Sequence, residues 1–322
     1  MATYRAKDRY ARLTKESAWG TYDAAGNVLY PVLVGDDGLN MVRSPGQNIL
    51  ETNIGHGRPY YVNGGVNEIS GTLNTLVAAP DTSGSPGPVA DVTDLLGWGS
   101  DISSNDLDSY TIDIAGGVRT GNADDPPTPV KRWRGVKVAS MTLTSGADAG
   151  AQRLAASYSL VGKDMHDAGN FDEDDDLYTP ATGWLHHQGT ATLGATGSTA
   201  IDATVRDFSL TFTNNLDVGL GTGEYAQWCT YTGRQVTGSM TLQFVDEVYT
   251  DALYDISSIA VQMAYTAGVY VLTLNLHDNV KVTDCAINNS LGSVTTASVS
   301  FISLLRAASP FDTDVTISVT NS

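Results

Sequence analysis

The chain has little cysteine, few cations and no long apolar run. Its only thiols are Cys229 and Cys285, without a CxxC or any metal-ligand spacing. This excludes a disulfide-stapled scaffold or a zinc ribbon, and leaves open whether the two pair. So few thiols in 322 residues suit a reducing cytoplasm. Lys and Arg number 18 against 36 Asp and Glu, a formal charge of −18, and neither cation occurs from Gln235 to Val280. Nucleic-acid binders neutralise phosphates with Lys and Arg, so this chain should repel DNA. The acidity fits a solvated surface, or a surface along which nucleic acid passes without sticking. Ile256 to Leu276 is the most apolar stretch, but Ser, Gln, Thr and Asn interrupt it, which excludes a membrane span. The opening "MATYRAKDRYARLTKESAWGT" has no apolar h-region, so no secretory signal is expected.

What is present favours strands. Apolar residues make up 41%, charged residues 17%, and the 33 glycines sit among abundant Thr, Ser and Val. That mixture builds a core from short strands and turns. Phe208, Leu210 and Phe212 alternate, as do Leu154, Ala156, Tyr158 and Leu160, and Tyr270, Leu272, Leu274 and Leu276. Period two of this length predicts half-buried strands of antiparallel sheets. Two short helices are expected, over Pro88 to Trp98 with Val89, Val92 and Leu96 on one face, and over Glu247 to Ser258.

The order of elements occurs twice. "EISGTLNTL" (Glu68 to Leu76), a helix, the strand "YTIDIAG" and the ribbon Gly135 to Gly162 are followed by a second set. That set is "QVTGSMTLQF" (Gln235 to Phe244), a helix, "VYVLTLNL" and the ribbon Lys281 to Leu305. Ile69-Ser70-Gly71-Thr72-Leu73 sits against Val236-Thr237-Gly238-Ser239-Met240, Lys137-Val138 against Lys281-Val282, and Ala156-Ser157 against Ala297-Ser298. The expected fold is mainly β: two tandem antiparallel sandwich or barrel modules, each with one short flanking helix. The modules are expected over residues 1–163 and 184–322, with 164–183 an acidic, Pro/Gly-punctuated linker or exposed loop. A long Gly- and Asn-rich loop precedes each Gly-centred strand. Aromatics within such loops suggest a protein contact surface.

Catalytic chemistry finds no support. Asp172 to Asp176 lacks the EF-hand spacing and reads as a solvated loop. His186 and His187, if on a strand, face opposite ways and share no ion. "GLGTG" (Gly219 to Gly223) has no helix pattern after it. No catalytic residue, cofactor or metal site is assigned, and no enzyme is expected.

"TKESAWGTYD" (Thr14 to Asp23), "VTGSMTLQF" before a short helix, and "GVKVASMTLT…AASYSLVGKD" resemble the tail tube proteins of tailed phages, over most of the chain. The resemblance implies β modules joined edge to edge into rings, stacked into a hollow tube through which the genome leaves. It implies assembly in the host cytoplasm, a place in the virion tail, partnership with tape-measure and other tail proteins, and an acidic lumen passing DNA without specific binding. It also implies that the long loops reach the next subunit or ring. The expected contact residues are Asn53, His56, Arg58, Tyr60 and Tyr61 in one loop and Asp217, Tyr225, Trp228 and Tyr231 in the other. A ring closed by six modules would need three chains of two modules, a trimer with pseudo-sixfold symmetry; a hexamer of single enlarged modules is the second reading. The rival class is a virion-surface or cell-surface adhesin or decoration protein of two immunoglobulin-like sandwiches.

Overall fold

The structure, a computed structural model, describes residues 9–23, 28–29, 32–33, 38–44, 49–51, 60–62, 67–77, 88–100, 106–116, 130–147, 152–168, 183–195, 201–203, 205–219, 223–243, 258–276, 280–288, 295–304 and 315–321. The first part of the chain forms β1 (Arg9–Lys15), β2 (Val28–Leu29), β3 (Val32–Leu33), β4 (Leu39–Ser44), β5 (Ile49–Glu51), β6 (Tyr60–Val62) and β7 (Glu68–Leu76). Helix α1 (Pro88–Ser100) follows, then β8 (Tyr110–Gly116), β9 (Val130–Gly146), β10 (Ala155–Gly162) and β11 (Asp164–Ala168). The second part forms β12 (Gly189–Ala195), β13 (Ile201–Ala203), β14 (Val205–Gly219), β15 (Trp228–Gln243), β16 (Ser258–Ala267), β17 (Tyr270–Asn275), β18 (Val280–Asn288), β19 (Thr296–Ser303) and β20 (Thr316–Asn321). The fold is mainly β, as the alternation predicts, and its strands pair antiparallel in a large sheet that is not closed.

Helix α1 covers the expected Pro88 to Trp98 and runs two residues further. Leu96 and Trp98 are fully buried, and Trp98 packs on Tyr110 and Tyr158 at ring separations of 5.0 and 5.8 Å. The side chains of Val89 and Val92, and the expected second helix up to residue 257, lie outside the described residues; Ser258 opens a strand. Two expectations change on contact with the fold. Asp164 to Ala168, the start of the segment read as a linker, pairs with β9 as β11, because its carboxylates meet Arg134 and Lys131 there. His186 and His187 stand in a short 3-10 helix rather than a strand. The His186 ring bridges Ser145 Oγ at 3.1 Å and the Val205 carbonyl at 3.0 Å.

One strand joins everything. The first arm of β9 pairs with β8 and β11, and its second arm with β10 and β14. Gly135, at φ +64, sits between the arms, in a region that favours glycine. Its N–H donates to Glu16 Oε1 at 2.9 Å and its carbonyl accepts Trp19 Nε1 at 2.8 Å. The "KESAWG" segment thereby holds the bend.

The pairings of the second part match those of the first, strand by strand and in chain order. Strands β2, β1, β8, β9, β10, β7 and β4 are joined as β13, β12, β16, β18, β19, β15 and β14 are. Gly71 lies opposite Leu160, and Gly238 opposite Phe301. Leu160 lies opposite Val138, and Phe301 opposite Val282. Each ribbon then carries a bulge at the same step, before Ser140 in β9 and before Asp284 in β18. By pairing, the counterpart of "YTIDIAG" in the second part is β16; "VYVLTLNL" falls on β17, which pairs as the first arm of β9 does.

The two central glycines have a steric reason. A Cβ on Gly71 would stand 2.2 Å from Met41 Sδ and 2.5 Å from the Asn40 carbonyl oxygen; one on Gly238 would stand 2.2 Å from Phe301 Cζ. In both places a neighbour's side chain lies across the backbone, which only glycine allows.

Candidate assembly surfaces

The contact residues expected from the sequence separate into distinct places. Asn53, His56 and Arg58 lie outside the described residues. Tyr60 and Tyr61 are in β6, paired with Glu51 and Leu50 of β5 as a separate two-stranded ribbon. Asp217 and Trp228 are exposed on the extended β14–β15 hairpin, and Tyr231 is half-buried there.

The hairpin end around Tyr225 docks on the first part of the chain. Arg43 Nη2 and Asn67 Nδ2 each donate to Glu224 Oε1 at 2.8 Å, and the Arg43 guanidinium lies 5.3 Å from the Tyr225 ring centre. Deeper in, buried Lys137 donates to both oxygens of Asp106 at 2.8 Å and to the Cys229 carbonyl at 3.0 Å. Asn214 Nδ2 donates to the carbonyls of Gly99 and Val138, both at 3.1 Å. Sequence reasoning missed Lys137, Asn214 and Glu224 because their roles need partners from 31 to 181 residues away.

The cysteines are unpaired thiols. Burial pushes the Cys229 thiol up to about 11, against the pull of Lys137. Burial also raises the half-buried Cys285, with Asp284 adding to the effect.

The sheet through β4, β7, β10, β9, β14, β15, β19 and β18 has two different faces. One is core: Leu73, Tyr158, Met141, Leu143, Leu210, Phe212 and Val236 are at most 1% exposed. The other is hydroxyl and amide. One row of opposed residues runs Asn74, Ser157, Thr142, Thr211, Thr237; a second runs Asn40, Thr72, Ser159, Ser140, Thr213, Gln235. A third runs Thr144, Ser209, Ser239, Ser300, Asp284. These rows contain no Lys or Arg; Thr237 is followed by Ile302 and then Lys281 at the far edge. Thr142 and Thr211 share a hydrogen bond of 3.1 Å across the junction of β9 and β14.

Several strand edges lack a partner among the described residues, and two of them flank the hydroxyl face. Strand β4 pairs with β7 alone, and β18 beyond its bulge pairs with β19 alone. Large apolar side chains stand exposed on both, Val42 at 44% and Ile287 at 46%.

Open strand edges on an antiparallel sheet are suited to pairing with a further strand. The chain matches the phage tail tube protein family over residues 7–320 and belongs to it, which makes it a structural protein of the virion tail. No curated protein matches the chain.

Proposed function

We propose that this chain self-assembles into stacked rings forming the hollow tube through which viral DNA is delivered, and that each chain contributes two copies of one module. The observation that carries the duplication is the shared register. Random similarity between strand-rich segments does not reproduce the same six pairings of seven strands in the same order with the bulge at the same step. The modules then extend over about residues 9–168 and 184–321, with the acidic segment between them. Six modules close a ring with three chains, giving pseudo-sixfold symmetry.

The hydroxyl and amide face supports DNA passage. With no Lys or Arg in the three hydroxyl rows there is little counterion release to hold phosphates, and Ser and Thr leave a wetted wall. Glu68, Asp207 and Asp284 bring negative charge to this face and Lys281 a single cation at its far edge, so the proposed lumen is mostly neutral with acidic points. In a tail the rings also meet tape-measure and other tail proteins, after assembly in the host cytoplasm.

Electron microscopy of the purified protein, beside its mass in solution, tests the reading. Rings or tubes of constant width with three copies per ring are the expected result. Six copies per ring would replace the trimer with single enlarged modules. A monomer that fails to polymerise at high concentration and binds a glycan array would point to the adhesin.

A further inference from the structure

The junction between the two parts of one chain is a template for the junction between two chains. In the first part, β9 beyond its bulge has β10 on one edge and β14 on the other, with Leu143 opposite Leu210, Met141 opposite Phe212 and Ser140 opposite Thr213. In the second part, β18 beyond its bulge has β19 on one edge and, among the described residues, nothing on the other. The strand that pairs with β7 as β14 pairs with β15 is β4, and its far edge is likewise unpartnered. Among the edges left open in the described residues, those of β4 and β18 are complementary in register.

We propose that β4 of a second copy adds antiparallel to β18, repeating the β14–β9 register. This deepens the ring reading and rests on it. Carrying the register across sets Met41 of the second copy opposite Ile287, Val42 opposite Ala286, Arg43 opposite Cys285 and Ser44 opposite Asp284. The exposure pattern fits. Leu143 is fully buried under β14, while Ile287 at the corresponding place is 46% exposed. Val42, 44% exposed, falls where Thr211 stands in the intrachain junction and meets Ala286, so an apolar pair replaces two hydroxyls. An exposed edge bearing apolar side chains is a pairing site, and here each edge matches the other rather than itself. Such heterologous contact propagates in one direction and closes as a ring.

Disulfide trapping under assembly conditions tests the register. Arg43→Cys places a thiol opposite native Cys285, and cross-strand neighbours fall within disulfide reach. Val42→Cys, one step along the strand, points to the other face and is the control. The expected result for R43C is a ladder of oxidised oligomers ending at the ring's copy number. Its yield should be about tenfold above that of V42C, and it should vanish in R43C/C285S. A second pair, S44C/D284C in a C285S background, covers the case where losing Arg43 disturbs folding. Cross-links from either designed pair support the docking. Rings that form in the microscope while neither pair cross-links, or while V42C links to Cys285 instead, overturn this register and leave the tube standing. Cross-linked oligomers without rings or tubes support the edge pairing and count against the tube. Absence of both, with wild-type protein also failing to assemble, overturns both.

Discussion

The buried Glu16 carboxylate accepts hydrogen bonds from Gly20 N at 2.8 Å, Ser109 Oγ at 2.8 Å, Thr111 Oγ1 at 2.7 Å and Gly135 N at 2.9 Å. Each donor satisfied here would otherwise be buried unpaired. Glu16→Ala strands them together and loosens the bend of β9, at a cost of about 3 kcal/mol. The check is the midpoint of urea unfolding, which should fall with the slope unchanged. The thiols make a second prediction at this scale. Burial favours the neutral form of Cys229, so its folded value, about 11, lies above the ordinary 9.0. The stability this contributes is whole below the unfolded value and is lost as pH rises through the folded one. Correspondingly, dithiobis-nitrobenzoate at pH 8 should label Cys285 in the native protein and reach Cys229 only after denaturation. Equal labelling rates would refute the buried position of Cys229.

At the scale of elements, the alternating strands and α1 were legible in the sequence, because period two and a Pro-led apolar face are local signals. The long reach of the β14–β15 hairpin was not. Its Gly- and Asn-rich run reads as loop, yet Asn214 occupies a strand position, where distant carbonyls accept from it. Asn214 ties β14 to the end of α1 and to β9 with its two donated bonds. Asn214→Ala leaves the Gly99 and Val138 carbonyls short of a donor and should cost about 2 kcal/mol. Hydrogen exchange should show the loss concentrated in β14, β15 and the end of α1; uniform deprotection would mean the link carries no local role. The linker expectation erred at Asp164 for a related reason. A carboxylate reads as solvent-facing until a bidentate arginine 30 residues earlier, Arg134, is placed beside it at 2.7 and 2.8 Å.

For the whole molecule, charge placement decides function in the proposed tube. The hydroxyl rows cross both parts of the chain without Lys or Arg, so cations introduced there should convert a passing wall into a binding one. Thr211→Lys with Thr237→Lys, on neighbouring strands, should leave the fold intact and make assembled tubes retain double-stranded DNA. Retention should fall steeply with salt, as counterion release requires. A filter-binding titration against salt checks this; no gain over wild type would place the face elsewhere than the lumen.

By itself the sequence determined the class of the molecule. Net acidity, scarce thiols and alternating strands are properties of composition and period, and the repeated apolar–hydroxyl–glycine strand raised the expectation of one unit occurring twice. It could not decide which face is core and which is wall, since period two defines two faces without naming either. Nor could it decide that β14 joins the two parts while β4 and β18 are left as edges. Those outcomes depend on register between residues far apart in the chain, and register is fixed only when the strands meet.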